Sequence, residues 1–441
     1  MARSYHGANS VARVGILANL SVLALAALVA LLSGPPSTQA QTFKVLHEFT
    51  GGADGAEPGG LTLGGAGELY GVAGSGGKSS KDCDGGCGTI YQLTHVGSSW
   101  RFTLLHTFRD EPDGAVPQAP MVFGPDQVLY GTTAGGGMYG CHYSGCGTVF
   151  KLQPPPAPCA TLSCPWKERV IYRFPGGSTG SWPPFDAPLV FDKAKNIYGT
   201  TEFGGYMGGV CGENYGCGVV FELSPSDAGW TENVLYSFGD NVTGAWPTAG
   251  VIFDEQGNLF GTTTASTVFE LAQSGAGWEY NILAETLDTI TAGLIFDKAG
   301  NLYGATSDGG PSGGGSAFKM KSEEGSWEIQ MIYGFAQSGE PYYPGPGATL
   351  VMDRAGNLYG TTSADGVYGL GTVFKLSPTG HGPWSYKYTD LHDFTGVNDG
   401  QSPTTSLVID NDGNLYGTTF RGGKDSNCQK GGCGVVFEIT P

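Results

Sequence analysis

A short phrase, Asn-Leu-Tyr-Gly-Thr-Thr or a close variant, recurs seven times along the 441-residue chain and constrains its fold more than any other feature. Its Leu-Tyr-Gly core, or the variants Ile-Tyr-Gly and Leu-Phe-Gly, occupies residues 69–71, 129–131, 197–199, 259–261, 302–304, 358–360 and 415–417. The period is about 60 residues, and every unit contains short apolar runs typical of β-strands. Repeats of this kind build a ring of small sheets. The sequence therefore predicts an all-β fold, a seven-bladed β-propeller.

Each unit contains four predicted strands. In the fullest unit, residues 294–304, an apolar triplet enters an Asp-x-x-Gly turn and leaves on a second strand. Glycine at the last turn position supplies the positive φ that this turn needs. A Gly-rich loop leads to a third strand of the type Gly-Thr-Val-Phe, and the fourth strand runs from a Trp to a Phe, as from Trp100 to Phe108. Four short antiparallel strands make one propeller blade.

The two ends of the repeat region predict how the ring closes. The last unit stops after its third strand at residues 437–439, and residues 43–49 match a fourth strand that has no blade before it. Pairing these strands completes the last blade and removes exposed sheet edges. The predicted blades are residues 59–109, 119–175, 187–238, 248–286, 292–335, 348–394 and 405–441 together with 42–49.

These units resemble the GloVer tandem repeat of secreted bacterial proteins. The resemblance rests on the Leu-Tyr-Gly-Thr-Thr…Gly-Gly…Gly-Thr-Val-Phe unit with a Val-Leu-His-x-Phe strand before it, and it covers residues 42–441. It implies a repeat framework and export but no particular activity. Proteins of this family often end in a sorting anchor, whereas this chain ends at the seventh unit. We therefore expect a freely secreted or periplasmic product.

Residues 1–40 have the pattern of a signal peptide. Arg3 and Arg13 precede an apolar run at residues 14–32, and Thr38-Gln39-Ala40 forms a small-residue cleavage site. An uncleaved membrane anchor is the alternative, because the run is nearly long enough to span a bilayer. Polar residues inside the run favour cleavage, so the mature chain is expected to begin at Gln41 without membrane insertion.

The charge balance narrows the choice of partner. The leader contains two of the 22 basic residues and none of the 40 acidic ones, which leaves the mature chain at −20. Nucleic acids and anionic membranes are bound through Lys and Arg, so both are disfavoured. We expect a monomer that binds an extracellular glycan or protein.

The cysteines predict disulfides. All ten occur in close pairs, and an even count in an exported chain is typical of disulfides. Structural zinc is the alternative, but it needs four ligands together, and these pairs lie in different units. We expect each cysteine to bond to its near neighbour, as Cys83–Cys87, Cys141–Cys146, Cys159–Cys164, Cys211–Cys217 and Cys428–Cys433.

No motif predicts a metal ion or a cofactor. His47, His106 and His392 share a slot that holds Tyr in other units, which indicates packing rather than metal ligation. Residues 410–414 resemble the start of a calcium loop, but the closing Glu is replaced by Arg421, which favours a hairpin turn. Phosphate-binding loops and nucleophile elbows are not found in the sequence.

The loops between units suggest a binding surface. Five of them follow the pattern x-Gly-x-x-Pro, with an Asp before the Gly in some copies and a Trp before the Pro in others, and Tyr342-Tyr343-Pro344 precedes the sixth unit. Aromatic faces beside acids suit sugar rings. The alternative is that these aromatic residues cap the loops beneath them and bind nothing. The candidate ligand-binding residues are Trp182, Trp246, Tyr342, Tyr343, Asp54, Asp113 and Asp399.

Two functions remain open. The favoured one is a secreted, disulfide-stapled binding or interaction module. The other is a lyase or hydrolase that uses acids at the channel mouth, where charges break the repeat after Gly-Thr-Thr. The candidate catalytic residues are Glu202, Asp308, Asp365 and Arg421.

Overall fold

The computed structural model of this protein describes most of the chain after the predicted leader. The described residues are 41–111, 113–138, 140–141, 145–156, 165–208, 211–239, 244–275, 277–286, 288–323, 325–336, 345–382, 384–424, 428 and 431–440. The predicted signal peptide, Cys159, Cys164, Tyr342 and Tyr343 lie outside them. Residues 43–440 form one compact unit. Among the described residues, none of the helices has the length and apolar character needed to cross a membrane.

The described residues form 28 strands. It starts with β1 (Thr42–Glu48). Blade one contains β2 (Ala56–Leu63), β3 (Leu69–Ser75), β4 (Thr89–Val96) and β5 (Ser99–Thr107). Blade two contains β6 (Val122–Phe123), β7 (Leu129–Thr133), β8 (Thr148–Gln153) and β9 (Lys167–Arg173). Blade three contains β10 (Val190–Phe191), β11 (Ile197–Thr201), β12 (Val219–Ser226) and β13 (Gly229–Ser237), with short helical turns at Gly177–Thr179 and Gly212–Tyr215.

The remaining blades repeat this arrangement. Blade four contains β14 (Ile252–Phe253), β15 (Leu259–Thr263), β16 (Thr267–Ser274) and β17 (Gly277–Glu285). Blade five contains β18 (Ile295–Phe296), β19 (Leu302–Thr306), β20 (Gly313–Glu323) and β21 (Ser326–Ala336). Blade six contains β22 (Val351–Met352), β23 (Leu358–Thr362), β24 (Thr372–Pro378) and β25 (Tyr386–Asp393). Blade seven contains β26 (Val408–Ile409), β27 (Leu415–Thr419) and β28 (Val435–Thr440).

The predicted ring closure is confirmed. Six sheets are built from four consecutive strands, and the seventh has the order β1-β28-β27-β26. The N-terminal strand is therefore the outer strand of the last blade, and the fold is a seven-bladed β-propeller. Residues at or just before the first strand of every blade line one common cavity on the ring axis.

The Leu-Tyr-Gly phrase recurs because its glycine makes room for an aromatic ring. In blade three, Gly199 on β11 lies opposite Phe221 on β12. A Cβ at Gly199 would lie 2.7 Å from Phe221 Cζ. The other blades repeat this glycine–aromatic pair, so the second and third strands of a unit carry matched halves of one packing contact.

A Phe at the end of the fourth strand holds neighbouring blades together, except in blade four, where Thr286 follows the strand. Phe108 follows β5 of blade one and packs edge-to-face on Phe150 of blade two, with ring centroids 5.4 Å apart. Phe174 and Phe221 repeat the contact at 5.2 Å. Such aromatic pairs contribute about 0.5–1.5 kcal/mol each beyond the area they bury. The sequence spacing from Trp to Phe therefore places one ring at the centre of a blade–blade contact.

Tyr91 is an exception inside this core. The other six blades have Phe at the position of Tyr91. The Tyr91 hydroxyl is buried and has no hydrogen-bond partner among the described residues. A buried hydroxyl without a partner costs about 1–3 kcal/mol. We expect Tyr91→Phe to raise the free energy of unfolding by about 1 kcal/mol in urea titrations. Phe150→Tyr is the matched reverse change, and we expect it to destabilise. A lower stability for Tyr91→Phe would show that the buried Tyr91 hydroxyl stabilises the fold, contrary to this argument.

Four of the predicted disulfides are present. They are Cys83–Cys87, Cys141–Cys146, Cys211–Cys217 and Cys428–Cys433. Each lies in the loop between the second and third strands of its blade. These loops share one face of the ring, here called the upper face, with the loops that enter the next blade, as shown by the hydrogen bond from Gly205 N to Gly177 O. Blade four has only a tight turn at this place, so the upper face is uneven.

Candidate functional site

The residue before Pro in the x-Gly-x-x-Pro pattern fastens one blade to the previous one. Trp182 donates its backbone N–H to Cys146 O at 2.9 Å, and its carbonyl accepts from Glu202 N at 3.0 Å. Val116, Trp246 and Ser402 repeat both contacts, and Glu57 repeats the first by donating to Cys433 O at 3.0 Å. All five residues have a φ between 54° and 60°. Non-glycine residues seldom adopt this conformation. The pattern is thus held by backbone hydrogen bonds, an arrangement here called the backbone latch. Because no side chain takes part in it, the residue type at the fourth position can differ from blade to blade.

The aspartates of the same loops are engaged by histidines. The pairs are His47–Asp54, His106–Asp113 and His392–Asp399, with Nε2–Oδ2 distances of 3.2, 3.2 and 3.1 Å. Each aspartate also accepts a backbone N–H four residues before it, from Thr50, Arg109 and Thr395. These contacts explain why Asp and His occur together in the pattern. Ligand binding by the three aspartates stays a prediction.

The two predicted tryptophans lie in different surroundings. Trp182 lines a small groove of about 190 Å³ on the upper face, together with Phe203, Met207 and Tyr215. Trp246 packs against the buried core between blades three and four. The structure therefore places Trp182 beside a concave surface and Trp246 against the interior.

The axial cavity opens at the channel mouth and has a volume of about 460 Å³. One ring of its lining takes a residue from the same position of each blade: Pro58, Gln118, Asp186, Thr248, Thr291, Gly347 and Thr404. Asp186 is the charged member of that ring. Phe185 and Phe420 add aromatic surface, and Glu202 adds a second carboxylate. Both acids come from blade three, so the carboxyl groups of the cavity lie on one side of the ring.

Asp186 ties opposite sides of the ring together. Its Oδ2 accepts hydrogen bonds from Ser406 Oγ at 2.7 Å and from Thr349 N at 3.1 Å. Those residues belong to blades seven and six, which stand across the axis from blade three. Burial raises the pKa of Asp186, while the Ser406 and Thr349 hydrogen bonds oppose the rise. Its carboxylate is occupied within the fold.

Within the described part of the chain, Glu202 is the cavity acid without such contacts. Burial raises the pKa of Glu202 to about 7. Its backbone is fixed by the latch at Trp182, and the Trp182 and Phe185 rings lie 6.4 Å apart. The groove and the axial cavity therefore adjoin, with Glu202 between an aromatic wall and the ring axis.

The structure does not bring the other candidate catalytic residues into this cavity. Asp308 accepts hydrogen bonds from Thr289 N and Oγ1 at 2.7 and 3.0 Å. Burial and the charge of Asp393 raise the pKa of Asp365. Arg421 lies with its guanidinium 5.6 Å from the Phe420 ring centroid. In the described part of the chain, only Glu202 of the four candidates lines the axial cavity.

The calcium-like turn is closed by its own hydrogen bonds, as the hairpin interpretation predicts. Asp410 accepts bonds from Asn414 N at 2.8 Å, Asn414 Nδ2 at 2.8 Å and Tyr416 OH at 3.1 Å. Asp297 has the same partners in blade five. The carboxylate thus serves the turn in both blades.

The sequence analysis missed Phe185 and Asp186. A signal was present, because the segment from Pro183 to Ala187 is two residues longer than its counterparts in blades two, four and seven. The extra Pro184-Phe185 places an aromatic ring at the channel mouth, 45% exposed.

The fold and this channel-mouth cavity define a disulfide-containing seven-bladed β-propeller in which blade three departs from the repeat at the channel mouth. The chain belongs to the Gloeobacter/Verrucomicrobia repeat family, which matches residues 36–163 and 264–441. The unmatched residues between these regions include Trp182, Asp186 and Glu202 of blade three.

Two solved structures to which the chain is similar are distant in sequence. A candidate gluconolactonase is 10% identical, with a TM-score of 0.43, over 91% of this chain and 92% of its own. A candidate glucose dehydrogenase from Thermus thermophilus is 13% identical, with a TM-score of 0.43, over 91% of this chain and all of its own. No curated protein matches the chain.

Proposed function

We propose that this protein is an exported binding module that takes an extracellular glycan at the upper face of blade three. The observation that carries the proposal is the concentration of accessible aromatic surface beside one free carboxyl group. Phe185, Tyr206 and Tyr215 are 45%, 52% and 36% exposed. Phe185 and Glu202 line the axial cavity, Trp182 and Tyr215 line the adjoining groove, and Tyr206 directly precedes the groove residue Met207.

The chemistry of these groups fits a sugar ring. Sugar C–H faces stack on aromatic rings, and hydroxyl groups hydrogen-bond to carboxyl oxygens. Trp182 and Phe203 line the groove, while Phe185 and Glu202 line the axial cavity. A short oligosaccharide could therefore occupy the groove and place one ring at the channel mouth. Disulfides in the neighbouring loops, Cys141–Cys146 and Cys211–Cys217, support export and reduce the mobility of the walls.

The test is titration of the purified mature protein with a panel of bacterial, plant and algal oligosaccharides, followed by tryptophan fluorescence and calorimetry. For a sugar that binds, we expect Trp182→Ala to weaken the affinity at least tenfold. Trp246→Ala is the matched control because it changes the same latch position one blade further on, and it should leave the affinity within twofold. Absence of any sugar ligand, or equal effects of the two changes, would refute the glycan proposal and favour a protein partner.

A hydrolase or lyase is the second candidate, and the pKa of Glu202 near 7 favours it. A carboxylic acid with that pKa is suited to general acid catalysis. Two-carboxylate glycoside hydrolysis also needs a second free acid nearby, and Asp186 is held by Ser406 and Thr349. Binding is therefore the better-supported function. Cleavage of a bound sugar by the wild type, abolished in Glu202→Gln, would reverse this order.

A further inference from the structure

Three potential metal ligands meet at the junction of blades one and two. His106 lies on β5, Asp113 lies in the loop that follows it, and Glu168 lies on β9 of the next blade. The His106 Nε2–Asp113 Oδ2 distance is 3.2 Å. One donor atom from each of the three side chains lies within 4.8 Å of the other two. The group is partly buried and comes from three separate segments.

Sister junctions show that packing alone does not require an acid here. At the preceding junction, His47 stacks on Phe102 with ring centroids 4.1 Å apart and an angle of 18°. Phe102 lies opposite Leu93 on its blade, and Glu168 lies opposite the equivalent Leu152. His392 likewise stacks on Phe43 at 3.8 Å. A carboxyl group therefore replaces an aromatic ring at one of three otherwise equivalent His–Asp pairs.

The replacement leaves a polar atom without a partner. Glu168 Oε1 is buried and has no hydrogen-bond partner among the described residues. Burial and the charge of Asp113 raise the pKa of Glu168 to about 8, and the charge of Arg173 opposes that rise. At the next junction, the equivalent Glu232 accepts a hydrogen bond from Tyr172 OH at 2.7 Å on Oε2, and its Oε1 is likewise buried without a partner. Neither oxygen of Glu168 has such a bond among the described contacts. A buried, unpaired carboxyl oxygen calls for an explanation.

We propose that His106, Asp113 and Glu168 form a binding site for a divalent transition-metal ion, Zn²⁺ in particular. Tetrahedral zinc with bonds of about 2.0–2.1 Å to N and O sets its ligand atoms roughly 3.3 Å apart. The His106–Asp113 spacing of 3.2 Å already has this value, and a modest rotation of Glu168 brings in the third atom. An imidazole ligand favours zinc over calcium and magnesium.

The surroundings also suit a metal ligand set. Arg109 N donates a hydrogen bond to Asp113 Oδ1 at 3.0 Å, which leaves Oδ2 toward the histidine and fixes the carboxylate, as second-shell partners of metal ligands do. Three protein ligands leave one position of a tetrahedral ion for water. The site is separate from the aromatic groove of blade three and goes beyond the proposed binding function.

The test is calorimetric titration of the tag-free, EDTA-treated mature protein with ZnCl₂ at pH 8. We expect one ion per chain, with affinity reduced at least tenfold by His106→Ala. His392→Ala is the matched control, since it removes the same histidine where Phe43 stands in place of the third ligand, and it should leave zinc binding unchanged. No zinc binding by the wild type, an equal loss in both variants, or preference for Ca²⁺ would overturn the proposal.

Two further substitutions, each introducing the residue found at an equivalent blade–blade junction, separate loss of the site from misfolding. Glu168→Phe recreates the aromatic stack of the neighbouring junction, so it should fold, as judged by circular dichroism, and lose zinc binding. Phe102→Glu supplies His47 and Asp54 with a third ligand and should raise the stoichiometry to two ions. Retention of zinc by Glu168→Phe would contradict the assignment.

Discussion

Gly360→Ala will lower the free energy of unfolding by about 3 kcal/mol, measured by the shift of the urea transition. The added Cβ would lie 2.7 Å from Phe374 Cζ and 2.8 Å from Leu350 Cδ2. Phe374 and Leu350 are both fully buried, so neither can move aside without disturbing close-packed neighbours. The cost is purely steric, because the φ of Gly360 lies outside the positive region.

Two further variants isolate that cause. Gly275→Ala is the control, since its Cβ would meet no atom within 4 Å and its φ is also ordinary. We expect a change within about 0.5 kcal/mol. Phe374→Leu in the Gly360→Ala background should recover part of the loss, giving a double-mutant coupling of roughly 1 kcal/mol or more. Additive effects of Gly360→Ala and Phe374→Leu would show that the two residues do not form one packing contact.

The repeat made the fold predictable because the contacts between the second and third strands of a blade lie within one sequence unit. Gly360 and Phe374 lie on adjacent strands of one blade, and seven copies of the pair appear in fixed order. The strand that closes the ring could also be predicted, because residues 43–49 have the form of a fourth strand without a blade. Because the same local packing contact is repeated seven times, the sequence is consistent with few other architectures.

The channel mouth could be predicted only in part. Glu202 was found because a charge breaks the repeat after Gly-Thr-Thr, and the structure places it in the axial cavity. Asp186 was missed, since its partners Thr349 and Ser406 lie 163 and 220 residues further along the chain. Sequence spacing within a unit carries no information about which residues face one another across the axis.

The x-Gly-x-x-Pro loops and the position shared by the three histidines show a second limit of prediction from sequence. Trp182 and Trp246 make the same backbone contacts in neighbouring blades. The Trp182 side chain lines a groove, whereas the Trp246 side chain packs against the core. His106 was interpreted as a packing residue, as His47 and His392 are. The distinguishing residue, Glu168, belongs to the next blade, so the departure becomes visible only when neighbouring units are aligned and compared position by position.

Asp186→Ala will destabilise the ring by about 2 kcal/mol at pH 7, because the buried Ser406 hydroxyl and Thr349 amide lose their acceptor. The effect should be unusual in its pH dependence. Burial, the largest influence, raises the pKa of Asp186 above its ordinary value of 3.8. The folded protein therefore holds this proton more tightly than the unfolded chain does.

A raised carboxyl pKa makes its contribution to stability complete below pH 3.8, and that contribution declines as the pH rises through the folded-state value. The difference between wild type and Asp186→Ala should thus be larger at pH 4 than at pH 8, the reverse of an ordinary salt-bridged aspartate. Thr248→Ala, at the same position one blade further on, is the control and should show a small, pH-independent loss. Urea titrations of the three proteins at both pH values measure this, and a difference that grows toward pH 8 would mean that the carboxylate is held mainly by its hydrogen bonds rather than penalised by burial.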